Sequence, residues 1–148
     1  MDVMRSFMAY ADDFERTYID DDWTRLRRYF AEDAVYAVES ESFGCRLMGP
    51  DAIVAGMRKS VNGFDRRFDS RDIAVTSGPE VDGDEIRVSW TGTYRKAGVA
   101  PFVLRGRSTV RYRDGVIAIL TDSYEPALER ELAEWQRASK MDVDVSYT

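Results

Sequence analysis

Chemistry is most legible around one acid. In the segment IAILTDSYEP, residues 117–126, apolar residues lead into Asp122 and a tyrosine follows two positions later. Aspartate is depleted from strands because its side chain competes for backbone hydrogen bonds, so here it marks either the end of a strand or a charge kept inside a pocket. In a regular strand Val116, Ala118, Leu120, Asp122 and Tyr124 share one face. A carboxylate at the end of that apolar face is partly desolvated, which raises its pKa, whereas an arginine nearby would lower it. The chain contains no histidine. That removes histidine bases, Ser-His-Asp and Cys-His triads and histidine-ligated metals, and leaves Asp, Glu, Tyr, Lys, the single Cys45 or water for acid–base work.

The rest of the composition narrows the classes further. A net charge of −6 argues against non-specific binding to nucleic acid or to an anionic membrane. One cysteine allows no intrachain disulfide, and Cys45 has no visible activating partner, so it is expected to be inert. There is no GxGxxG, phosphate-binding loop, CxxC pair or calcium-loop pattern, and neither a metal nor a nucleotide cofactor is expected. The first residues carry no apolar signal core and no apolar run is long enough to span a bilayer, so the expected location is cytoplasmic. A length of 148 residues predicts one domain, residues 1–148.

The elements that must position Asp122 follow from periodicity. Met4, Phe7, Ala11, Phe14 and Tyr18 recur at helical spacing and predict a helix over 3–19. Asp22 suits an N-cap, with Trp23, Leu26 and Phe30 as a second helical stripe. A strand is predicted over 34–39, a loop with a short strand over 41–50, and a helix from Pro50 to Asn62–Gly63. The period then changes to two, giving strands over 71–81, 85–95, 102–113 and 116–124, with turn signals at 82–84 and at Asp114–Gly115. Pro126 opens a last helix, and the tail 140–148 has no clear element and is expected to be flexible. Helices first and an antiparallel meander afterwards make an α+β domain.

That order, with FAEDAVY after the first helices and YRDGVIAILTDSYEP near the end, resembles the nuclear transport factor 2-like superfamily, and within it the SnoaL-like polyketide cyclases, ketosteroid isomerases and limonene epoxide hydrolases. The resemblance spans about residues 5–135. It implies a cone: a curved antiparallel sheet wrapped around the N-terminal helices, enclosing an apolar pocket. The isomerases' catalytic acid would fall on Val38, their oxyanion-hole acid on Ser108 and their helix tyrosine near Phe14, so those polar groups are missing. The epoxide hydrolases' strand motif falls on Arg87 and Ser89, their water-activating acid on Asp122 and their first-strand tyrosine on Tyr36. The cyclases use one last-strand acid, again Asp122. Asp122, Arg87 and Tyr36 are therefore the expected catalytic group. The expected pocket lining is Phe14, Tyr18, Phe30, Val38, Ser89, Ser108, Val110, Tyr112, Leu120 and Tyr124.

One conflict runs through this reading. Ile86, Val88, Trp90 and Tyr94 share one strand face, and Arg87, Ser89, Thr91 and Thr93 the other. Amphipathicity alone sends Trp90 to the core and Arg87 to water. The register implied by the resemblance does the reverse, and leaves Val88, Trp90 and Tyr94 outside, where a second copy would have to cover them. The latter is taken as the expectation, and with it a homodimer through that face. The neighbouring stripe of Arg105, Arg107, Arg111 and Arg113 is read as a solvated face. Three functions fit: an enzyme in which Asp122 moves a proton or activates water on an apolar substrate, in the manner of an isomerase, cyclase or hydrolase; a non-catalytic binder of a small apolar ligand; or a dimeric interaction module.

Overall fold

The structure, a computed structural model, describes residues 2–148. Helix α1 spans Val3–Asp20. Asp2 caps it by accepting from the Arg5 N–H at 3.0 Å, and Asp21 closes it in the left-handed region, φ 61°, donating to the Thr17 carbonyl at 2.8 Å. The second predicted helix is a 3-10 helix, Trp23–Tyr29, and Phe30 already belongs to strand β1, Phe30–Glu39. The short strand β2, Cys45–Met48, precedes α2, Pro50–Gly63, which starts on proline as a first helical turn allows. A 3-10 turn, Asp65–Arg67, leads into β3 (Ser70–Asp82), followed by β4 (Glu85–Arg95), β5 (Phe102–Arg113), β6 (Val116–Tyr124) and helix α3 (Leu128–Ser139). The Asp114–Gly115 turn has positive φ at both residues, 52° and 85°, as a two-residue hairpin loop requires.

All six strands form one sheet in the order β2-β1-β6-β5-β4-β3. The expected all-antiparallel sheet is corrected here: β1 and β6 pair in parallel, because the chain crosses over through the other strands before returning beside β1. Bulges interrupt β3–β4, β5–β6 and β1–β6, and they bend the sheet into an unclosed cone around α1 and α2.

The pairing register settles the conflict over β4. Val88 lies opposite Ser108, Ser108 opposite Asp122, and Asp122 opposite Val38, so these four form one row on the concave face. Arg87 lies opposite Thr109 in the adjacent row, which faces outward. The expectation that Arg87 points into the cone is thus overturned, and Ser89 goes outside with it. The energetics favour this choice. Ile86 and Val88 are buried, and turning each out to water would forfeit about 1.5–3 kcal/mol. Arg87 outside is satisfied by Glu85 at 2.7 Å and Asp82 at 3.4 Å. Val88, Trp90 and Tyr94 therefore do not form an outer patch for a second copy, since all three line the inside of the cone.

Candidate functional site

The cone encloses a cavity of about 480 Å³ between α1, α2 and the concave sheet face. Its walls are mostly aromatic and aliphatic. Among the lining residues Met8, Ile73 and Val75 are substantially exposed, so the rim lies between α1 and β3. Two inner-face glycines make room for large rings. A Cβ at Gly106 would come within 2.6 Å of the Trp90 indole, and one at Gly92 within 2.9 Å of the Tyr94 ring.

Asp122 lines this cavity. Its Oδ2 accepts from the Tyr36 hydroxyl at 2.7 Å and its Oδ1 from the Ser108 hydroxyl at 2.6 Å. Ser108 in turn accepts from the Trp90 indole N–H at 3.0 Å, which commits its own proton to Asp122. The hydroxyl of Tyr147 lies 3.3 Å from that of Tyr36, with the two rings edge to face at 5.5 Å. Among the described residues no arginine or lysine pairs with Asp122. Burial raises its pKa above the ordinary carboxylate value, and the Ser108 and Tyr36 hydrogen bonds only partly oppose this. Burial, with the Asp122 charge adding to it, also pushes the Tyr36 hydroxyl well up, so Tyr36 stays a proton donor. Each Asp122 oxygen keeps a second lone pair, and the side chain abuts empty cavity. It can take a proton from a bound molecule or give one back.

A second polar group sits on the same cavity. The Arg71 guanidinium donates from Nε to Asp65 at 2.8 Å and from Nη1 to Glu15 at 2.7 Å, and lies 5.0 Å from the Tyr18 ring centre and 5.8 Å from that of Phe14. Tyr94 adds its hydroxyl to Asp65 at 3.4 Å. Burial raises the Asp65 pKa although Arg71 pulls it down. Burial works against the Arg71 charge as well, but Tyr94, Asp65 and Glu15 outweigh it and hold its pKa above the ordinary value.

Of the residues expected to form the site, Asp122, Tyr36, Ser108, Phe14, Leu120 and Tyr124 line the cavity. Val38 is buried beside Asp122 in the sheet, and Val110, Tyr112 and Phe30 are core residues, Phe30 packing edge to face on Tyr10. Tyr18 packs under Arg66 and Arg71 outside the lining. Arg87 and Ser89 are on the outer face, as shown above. Cys45 is half-buried and desolvation pushes its pKa up to about 11, which keeps it a thiol. Residues that sequence reasoning left out include Asp65, Arg71 and Tyr147. Tyr147 had a signal: Met141, Val143, Val145 and Tyr147 alternate with polar residues.

A bent, unclosed sheet folded over helices into a cone defines the nuclear transport factor 2-like class. Within it the chain belongs to the SnoaL-like domain family, which it matches over residues 10–119. Solved structures share the fold. A protein of unknown function of this class from Burkholderia pseudomallei K96243 is 16% identical, with 93% of this chain and 97% of that chain covered and a TM-score of 0.68. A putative isomerase from Bacillus subtilis is 16% identical, with 97% and 99% covered and a TM-score of 0.67. An LEH-like epoxide hydrolase from M. tuberculosis is 12% identical, with 92% and 93% covered and a TM-score of 0.60. At these identities the likeness is one of fold. No curated protein sequence matches the chain. No helix among the described residues is long and apolar enough to cross a membrane.

Proposed function

We propose that the cone binds a small apolar molecule and that Asp122 shuttles a proton on it, as in isomerase or cyclase chemistry at a carbon next to a carbonyl. The observation that carries this reading is the Asp122 carboxyl itself: desolvated, held only by the Tyr36 and Ser108 hydroxyls, and facing the cavity. A carboxyl with a raised pKa is matched to proton transfer nearer neutrality than a free one. Tyr36 then serves to orient the carboxyl, with Ser108 on its other oxygen. A cavity of about 480 Å³ lies in the range used for small-molecule ligands. The hydrolase reading is less well supported, because Arg87 and Ser89, which would complete an arginine-bridged water site, lie outside.

The test is solvent exchange. Apolar cyclic ketones are incubated with protein in deuterated water and their α-protons followed by NMR. The wild-type protein should accelerate exchange roughly 100-fold or more over the Asp122→Asn variant. Equal rates in the two proteins, with the ketone bound, would leave a binder without proton chemistry.

A further inference from the structure

Residues 140–148 form no helix or strand, yet α2 and the 3-10 turn that follows it hold them closely. The Asp144 N–H donates to the Gly63 carbonyl at 3.1 Å, Ser60 Oγ donates to the Val145 carbonyl at 3.1 Å, and the Arg67 guanidinium donates to the Asp142 carbonyl at 3.0 Å. Lys59 pairs with the Asp144 carboxylate at 3.3 Å. Two α2 glycines allow the approach. A Cβ at Gly63 would sit 2.1 Å from the Asp144 carbonyl oxygen, and one at Gly56 would sit 3.0 Å from that of Tyr147. Val145 is buried by this seat, and Tyr147 reaches the cavity wall.

The position of Tyr147 has a chemical consequence. Tyr36 has one hydroxyl proton, and the 2.7 Å bond to Asp122 uses it. In the 3.3 Å contact between the two phenols, Tyr147 is therefore the donor and Tyr36 the acceptor. A hydroxyl that accepts a hydrogen bond becomes a better donor in its own. The other titratable groups around Asp122 are Tyr10 from α1, Tyr124 from β6 and Cys45 from β2. Burial pushes all of them up, as it does Tyr36 and Tyr147; Asp65, on the same cavity and paired with Arg71, also acts on Tyr124 and Tyr147, and apart from it none of these groups ionises in the acid range.

We propose that residues 140–148 are part of the site: they form a wall of the cavity, and Tyr147 is a positioning residue that holds Tyr36 against Asp122. These residues lie beyond the stretch that matches the family, 10–119. The inference rests on the reading of Asp122 as the pocket acid.

The experiment follows the carboxyl carbon of Asp122 by NMR titration in 13C-labelled protein, assigned by its loss in Asp122→Asn, together with binding of the apolar dye 8-anilinonaphthalene-1-sulfonate. Removing residues 141–148 should admit water to Asp122 and lower its pKa by about one unit or more, towards the ordinary value. Gly63→Ala should do the same with every residue of the segment present, and it carries the test if the shortened chain fails to fold by circular dichroism. Tyr147→Phe keeps the ring and removes only the hydroxyl. Tyr36 then donates less well, and the Asp122 pKa should move the other way, upward. Dye binding should change in the first two variants and not in the third. Unchanged titration and dye binding in both displaced variants would overturn the wall. A fall in Tyr147→Phe matching that in the shortened chain would overturn the positioning role. An ordinary Asp122 pKa in the wild type defeats the pocket-acid reading instead, and dye binding still reports on the wall.

Discussion

Trp90 and Gly106 are direct partners across β4 and β5, and the indole occupies the space a side chain at Gly106 would need, within 2.6 Å of a Cβ there. This contact lets the Trp90 N–H reach Ser108 at 3.0 Å and so reaches Asp122 through one more bond. Overpacking the position should displace the indole. Gly106→Ala is expected to cost about 1–3 kcal/mol in urea unfolding. It should also alter tryptophan fluorescence in the native state. Native fluorescence and a midpoint equal to wild type would mean that the ring is not held there.

Asp122 makes stability depend on pH in a defined direction. Its native pKa is raised by burial. Well below the ordinary carboxylate range, both folded and unfolded chains carry the proton. As pH rises the unfolded chain ionises first while the folded chain keeps its proton, so folding is increasingly disfavoured until the native pKa is passed. Asp122→Asn lacks this titration. Asp65, also raised, is common to both proteins and cancels in the difference. The stability gap between wild type and variant should therefore shift in favour of the variant as pH climbs from about 3.9, the ordinary Asp value, to the native one. Urea midpoints measured across that span check it. A gap that is constant with pH would place Asp122 in a water-like environment.

Much of the fold was legible because period and turn chemistry agree. The β3–β6 strands, α1, α2 and the last helix fall where alternation, helical spacing and the Asp-Gly and Pro signals put them. Asp122 was legible from parity together with the resemblance, since the residues alone left a strand end and a pocket charge both open. The face of β4 was not settled by the resemblance, because a one-residue shift exchanges the two faces entirely. The large apolar residues Ile86, Val88 and Tyr94 decided it, and amphipathicity had pointed that way. Asp65 and Arg71 left no periodic trace. They meet because a 3-10 turn folds the chain back between them, which spacing in sequence does not reveal. Tyr147 was readable as an alternating pattern, but its partner is a helix surface rather than a strand.

Arg87 now carries a prediction of its own. It lies on the outer face, its side chain 46% exposed, paired with Glu85 and Asp82. Glu85 keeps Arg111 at 2.8 Å when Arg87 is removed. Arg87→Ala should change stability by no more than about 0.5 kcal/mol and leave ketone exchange untouched. A loss of exchange as deep as in Asp122→Asn would return Arg87 to the site.

The Asp65–Arg71 pair is the opposite case. Their side chains are only 12% and 8% exposed, and Arg71 also ties α1 to β3 through Glu15. An ion pair withdrawn from water to this degree adds little over an apolar pair, since desolvation offsets the attraction, but breaking it strands a charge. Arg71→Met should therefore cost about 3–5 kcal/mol, because Asp65 is left with only the 3.4 Å contact from Tyr94. Adding Asp65→Asn should recover much of that loss, as the second change removes the stranded charge. Urea unfolding of both single variants and the double variant forms a complete cycle. If the double variant is as unstable as the sum of the two singles, Asp65 and Arg71 act independently. The pair would then be two separate supports of the cavity wall.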